Sequence, residues 1–373
     1  MTQENKKWIN EIWSKIENKL SVTSDSCTDK IPFKGSDGCY DDYGTQRIWW
    51  WTNGFWPGIM WLMYVATKNE KYKSIAEIAE NKLDECFLMH SKLHHDVGFM
   101  WHISAGANFK ITGNPKSQNR NIMAASILAS RYNANGDYIR AWNDEGTEGW
   151  TIIDCMMNLP LLYWATEQTG DKRFNEIAMR HADKAMKYHV RPDGSVAHIV
   201  NFNPQDGEFV SYPHTQGYNP EYSTWSRGQA WAIYGYVLSY IHTGKQAYLE
   251  TAKKCAHYFI ASVSQTKNIP LCDFRQPQEP VVLDTSAGAI AACGLIEIAN
   301  CVPEYEKELY LNSAIELLKA LEKEHCSFEQ DTEYILKNGT GSYTKDRHVA
   351  LVYGDYYFIE AIYKLKGFTP LFW

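Results

Sequence analysis

Apolar residues fall on one helical face over residues 4–20, where Trp8, Ile9, Ile12, Trp13, Ile16 and Leu20 recur every three to four positions. That spacing predicts an amphipathic helix. Residues 21–47 are polar and carry Pro32, Gly35, Gly38 and Gly44, the composition of a long loop. Trp51-Thr-Asn-Gly-Phe-Trp-Pro-Gly58 then leads into an apolar segment, 59–66, with Thr52 or Asn53 as the expected cap. From there a unit repeats. A short turn rich in Thr, Gly and charge is followed by an aromatic residue and a long helix, at Thr67-Lys-Asn-Glu-Lys-Tyr72, Thr169-Gly-Asp-Lys-Arg-Phe174 and Thr243-Gly-Lys-Gln-Ala-Tyr248. Pro303–Tyr310 is a looser version. A more apolar helix precedes each turn (59–66, 152–168, 228–242, 285–300), and an Ala-containing amphipathic one follows (70–90, 172–188, 246–263, 305–323). Another such turn, Thr112-Gly-Asn-Pro-Lys, introduces a helix over 119–132, and 348–366 forms the last helix.

Helices of two kinds in alternation imply two concentric layers, the inner covered on most sides and the outer with a wet face. The count is about a dozen, which makes six hairpins closing into a ring. The expected fold is therefore all-α, an (α/α)6 barrel built as one domain over residues 1–373. Strand-like alternation is confined to 195–200 and 208–212, short ribbons between helices.

In such a ring the starts of the inner helices and their loops line one funnel. Asp154, Trp51 and Arg227 all fall at such positions. Asp154 stands almost alone in the apolar run Gly149–Ala165, interrupted otherwise by Asn158 and Pro160. Asn158 lies one helical turn on and shares its face. Pro160, inside a helix, would leave the carbonyl of Met156 without a partner. A buried carboxyl is costly unless paired or protonated, and a protonated one suits proton transfer. Thr151-x-x-Asp154 also fits a capping box, so a structural reading of Asp154 stands beside the catalytic one.

His94-His-Asp-Val-Gly-Phe-Met-Trp101 reads as an ordered loop, with Asp96 as the second candidate carboxyl. His90, His94 and His95 are a rival metal set by i, i+4 spacing, but no Glu or Cys partner sits at ligand spacing, and no metal is expected. His198 lies in a loop after the Arg191-Pro-Asp-Gly turn, and Ser211–Gly217 is a second polar loop. Arg227 and Trp231 project from one face of an inner helix, a pair suited to holding a carboxylate and stacking on the ring that bears it. The alternative for Arg227 is an ion pair across helices. The Trp and Gln flanking it favour the first reading.

Composition narrows the field. Aromatic residues reach 14%, with 14 Trp and 24 Tyr, which suits sugar rings and helix interfaces alike. The net charge is −7 with no basic block, so no nucleic-acid partner is expected. No apolar stretch approaches the ~20 residues of a membrane span. The nine cysteines are scattered without a Cys-x-x-Cys pair, and the start lacks a secretory core, which together predict a cytoplasmic setting. Neither a Gly-x-Ser-x-Gly elbow nor a phosphate loop is present, so nucleophilic serine chemistry and nucleotide use are unsupported.

Several long motifs, in order, resemble glycoside hydrolase family 88, the unsaturated glucuronyl hydrolases. They are Trp51–Gly58, His94–Met100, Ile152–Leu162, Ser223–Trp231 and Tyr353–Glu360. The likeness runs over nearly the whole chain and implies an (α/α)6 barrel needing no cofactor. It implies a substrate left by polysaccharide lyases, an oligosaccharide with a 4,5-unsaturated uronic acid at its non-reducing end. It also implies Asp154 as general acid and base, with Asp96 its carboxylate neighbour. Trp51, Phe55, His95, Trp142, His198, Gln216, Arg227 and Trp231 match positions that line the pocket in relatives. Burial and the Asp96 charge are both expected to raise the pKa of Asp154. The family departs here in two places. Relatives commonly have His directly before the Gln, whereas this chain reads Pro-His214-Thr-Gln216. Relatives that hold sulfate carry Ser and Lys near the C-terminus, where this chain ends Gly367-Phe-Thr-Pro-Leu-Phe-Trp373. Rhamnogalacturonyl hydrolase chemistry on pectin fragments is the nearest alternative, and a sugar 2-epimerase a more distant one. The oligomeric state is left open.

Overall fold

The computed structural model describes every residue from Met1 to Trp373. Six inner helical segments follow one another round a ring: Phe55–Thr67, 97–112, Leu159–Thr169, Ser226–Thr243, Thr285–Cys301 and Val352–Lys366. Six outer ones cover them: Gln3–Ser26, Glu70–Lys82, Pro115–Ser130, Lys172–Tyr188, Gln246–Val263 and Glu304–His325. Val352–Lys366 packs on Thr285–Cys301, Phe55–Thr67 and Gln3–Ser26, which closes the circle. The two layers differ as their sequences do. Ser226–Ser239 is buried without interruption. Lys172–Tyr188 buries only Ala178, His181, Ala182 and Ala185, one stripe at helical spacing. A single cluster of 98 buried apolar residues, from Ile9 to Trp373, fills the space between and within the layers.

Outer helices 172–188 and 246–263 begin and end where the pattern predicts. Elsewhere the structure amends it. Only 94–96 of the 94–101 stretch is loop: residues 97–112 are an inner helix, with one wider turn at His102–Gly106. Gly98 and Gly106 mask its periodicity in the sequence. The 21–47 loop contains the end of the first helix, to Ser26, and a ribbon of Lys34–Ser36 and Cys39–Tyr40 paired with Ala350–Leu351. Neither Thr52 nor Asn53 caps a helix by its side chain. Asn53 Nδ2 instead donates to the carbonyls of Arg47 and Ile48, at 3.0 and 2.9 Å. Pro160 falls in the first turn of Leu159–Thr169, where a missing N–H costs nothing, so the strain expected of it does not arise.

The ribbons expected at 195–200 and 208–212 appear as Ile199–Phe202 and Phe209–Ser211, joined in a three-stranded antiparallel sheet by Trp150–Ile152, so the inner helix expected over 152–168 begins only at Leu159. This sheet places the site. Ile152 pairs with Ile199, so the residues just beyond them, Ile153 and His198, also meet, and Ile153 N donates to His198 O at 3.1 Å.

Candidate active site

Asp154 occupies the tight 3-10 turn Ile153–Met157 that carries the chain from that sheet into an inner helix. The turn has no side-chain cap, and Thr151 is a strand residue whose hydroxyl meets His189 Nε2 at 2.9 Å. The capping-box reading is thereby set aside. Asp154 Oδ1 is buried without a hydrogen-bond partner and faces His198 Nε2 at 3.7 Å. Burial drives its pKa up to about 7, against the Arg227 charge, its own backbone N–H and the Trp231 indole, which all favour the ionised form.

Asp96 stands at the foot of the 97–112 helix, held by Asn158. Asn158 Nδ2 donates to Asp96 Oδ1 and to the carbonyl of Asp154, both at 3.2 Å, and its Oδ1 accepts from Phe99 N at 2.9 Å. One amide thus ties both carboxyl-bearing segments together. Burial, then the charge on Asp154, pushes the Asp96 carboxyl well above the usual carboxylate range. Burial is the leading cause at both carboxyls, and the like charges of the pair oppose one another's ionisation.

Eight of the ten residues expected at the site line one cavity of about 450 Å3: Trp51, His95, Asp96, Trp142, Asp154, His198, Gln216 and Arg227. That volume suits a small oligosaccharide. Phe55 and Trp231 lie beneath it instead. Phe55 is fully buried among Trp51, Phe99, Tyr353, Tyr356 and Tyr357, and Trp231 packs on Phe99 and Tyr357. They shape the floor rather than the wall.

Arg227 combines both readings offered for it. It lines the cavity, yet its guanidinium is ion-paired with the buried Asp284 on a neighbouring inner helix and donates to the carbonyls of Thr340 and Gly341, each at 2.6 Å. Its positive charge is compensated before any ligand arrives. Trp225 carries that guanidinium over its ring at 4.4 Å and packs, tilted, against the His198 ring at 4.3 Å.

The side chains of His94, His95 and Asp96 bring donor atoms within 4.8 Å of one another, while His90, an exposed residue, stays outside that group. Burial holds both His94 and His95 toward the neutral form. Sequence reasoning overlooked Trp50, Lys92 and Asn143, which also face the cavity. Their signal was weak, since each is an unremarkable loop residue until the 91–96 and 141–144 loops are seen to be tied by Asn143 Nδ2 to Ser91 O and Leu93 O, at 2.9 and 2.8 Å.

A helical ring with two coupled carboxyls at one aromatic mouth defines a glycoside hydrolase of the (α/α)6-barrel class. More particularly, residues 23–371 match the description Glycosyl Hydrolase Family 88, and the chain belongs to that family. It is 36% identical over 335 residues to the unsaturated glucuronyl hydrolase of Bacillus sp. (strain GL1), covering 87% of this chain and 88% of that one. It is 34% identical over 338 residues to the unsaturated chondroitin disaccharide hydrolase of Streptococcus agalactiae serotype III (strain NEM316), covering 87% and 83%. The crystal structure of the Bacillus sp. GL1 enzyme, described as responsible for the degradation of glycosaminoglycan, superposes with a TM-score of 0.88 at 34% identity, covering 94% of this chain and 96% of that one.

Proposed function

We propose that this chain releases the terminal 4,5-unsaturated uronic acid from lyase-generated oligosaccharides of glycosaminoglycan type, by hydrating the C4=C5 double bond. The observation that carries the reading is Asp154, a cavity-facing carboxyl with Oδ1 unpaired and its pKa near 7, so both its forms are populated at neutral pH. Two relatives named for unsaturated sugars support it.

The double bond of such a sugar is a vinyl ether. Protonated Asp154 delivers its proton to C4, and the π electrons form the new C–H bond. Positive charge spreads over C5 and the ring oxygen. The two carboxyls titrate as a pair, and the productive state is the one with the proton on Asp154 and the negative charge on Asp96. That charge, joined by the carboxylate Asp154 becomes, stabilises the cation. Water adds at C5 and gives its proton to Asp154. The hemiketal opens by breaking the bond between C5 and the ring oxygen, leaving a hemiacetal at C1 that expels the aglycone. No covalent enzyme intermediate forms, so the carboxyl-spacing rule of ordinary glycosidases does not apply.

Trp51, Trp142, His95, His198, Gln216 and Arg227 position the sugar, and neither metal nor cofactor enters the scheme. The unit that does this is the whole barrel, residues 1–373. A cytoplasmic setting fits nine free cysteines, six of them buried. No helix is long and apolar enough to cross a membrane. The test is a panel of unsaturated disaccharides followed by the ultraviolet absorbance of the conjugated double bond. Absorbance should vanish with chondroitin or hyaluronan disaccharides. Loss only with rhamnogalacturonan disaccharides would move the assignment to pectin fragments.

A further inference from the structure

The polar loop 212–225 lines the site with Gln216 and Trp225, and the backbone of Gln216 also meets His198. Gln216 N donates to His198 Nδ1 at 2.9 Å, and Gln216 O accepts from Tyr343 N at 2.7 Å. The loop is in turn held by a buried carboxyl on another segment. Asp273 Oδ2 accepts from Tyr218 N at 2.9 Å, and its Oδ1 from Thr224 N and Arg275 N at 3.1 and 2.8 Å. Gly217 lies so close that a Cβ there would stand 2.1 Å from Asp273 Oδ2.

We infer that Asp273 is a positioning residue which, by fixing the Gln216 amide on His198 Nδ1, locks His198 as the Nε2–H tautomer and aims that N–H at Asp154. A neutral imidazole has one proton, and a nitrogen that accepts a backbone N–H cannot hold it. Burial keeps His198 neutral, assisted by His214, His189 and Arg227. The proton is therefore on Nε2, 3.7 Å from Asp154 Oδ1. A donor there favours the carboxylate and eases loss of the proton to carbon. The opposite tautomer would offer a lone pair, accept the Asp154 O–H and hold the acid back. This role rests on the hydration chemistry proposed for Asp154.

The test pairs spectroscopy with kinetics. Long-range 1H–15N NMR of the free wild-type protein, with the His198 signal identified by its loss in His198→Gln, should show protonated Nε2 and bare Nδ1. A protonated Nδ1 overturns the assignment, and this arm needs no variant of the loop to fold. Asp273→Ala and Gly217→Ala should each mix the tautomers and lower kcat by about tenfold or more. They should also move the alkaline limb of kcat/KM to higher pH, since Asp154 would keep its proton longer. Asp96, Arg227, Trp231 and Tyr353 also face Asp154, and neither variant alters them. Asp273→Asn, which retains an oxygen for Thr224 and Arg275, should recover part of the loss. Reduced kcat with an unmoved limb and unchanged 15N shifts would mark Asp273 as merely structural and overturn the inference. Because the spectrum needs no substrate, a protein with the Nε2–H form but no turnover sinks the hydrolase reading and supports the tautomer.

Discussion

At the scale of single residues, the raised pKa of Asp154 works against stability above neutral pH. Its pKa rises from an ordinary carboxyl value to about 7 on folding. The folded protein thus binds a proton the unfolded chain would release. Stability from this group is present in full below the unfolded pKa near 4 and is lost as pH rises through about 7. Activity should follow the same group, falling on the alkaline side as the acid ionises. Asp154→Asn should lower kcat by about 10²–10⁴-fold while leaving the helical circular dichroism intact. At pH 8 the same variant should unfold later than wild type, by roughly 1–3 kcal/mol, because an uncharged amide replaces a carboxylate forced to ionise in a buried site. Full activity in the variant would remove Asp154 from the mechanism. The sequence pointed to this residue as a lone charge in an apolar run. It could not show that burial outweighs the Arg227 charge there, nor that Asn158 holds Asp96, since both depend on segments far apart in the chain.

At the scale of elements, four hairpin turns use one device. Thr67, Thr112, Thr169 and Thr243 end their helices, each hydroxyl donating to the carbonyl four residues back and accepting the N–H two residues on. The residue between is left-handed. Gly113, Gly170 and Gly244 take that position at φ of 73°, 74° and 69°, but the first turn has Lys68 at φ 59°. A side chain there is strained, so Lys68→Gly should stabilise the protein by about 0.5–1 kcal/mol in chemical denaturation. No gain would mean the lysine stem repays the strain through its contact with the Tyr64 ring, which its ammonium overlies at 5.7 Å. These turns explain why so much of the layering was legible: each carries its own stop and start signals within a few residues. The 97–112 helix lacks such a start. Its first turn follows Asp96 directly, without a side-chain cap, and it holds glycines where the barrel walls meet closely, so it read as a loop.

At the scale of the whole molecule, the ring is sealed by contacts between the first helix and the last inner one. Trp13 packs on Tyr363 and Phe368, with ring centres 6.4 and 5.1 Å apart, and Lys366 Nζ donates to Asn10 Oδ1 at 2.6 Å. Trp13→Ala should cost about 3–5 kcal/mol and lower the midpoint of one cooperative transition. A separate early transition, with the rest of the barrel intact, would show that the seam is not coupled to the whole.

That seam also decides how the protein can be made. No partial length of chain holds both of its edges, so every incomplete arc presents the oily flanks of inner helices to solvent. A chain cut short before its last helix should therefore self-associate rather than close into a smaller ring.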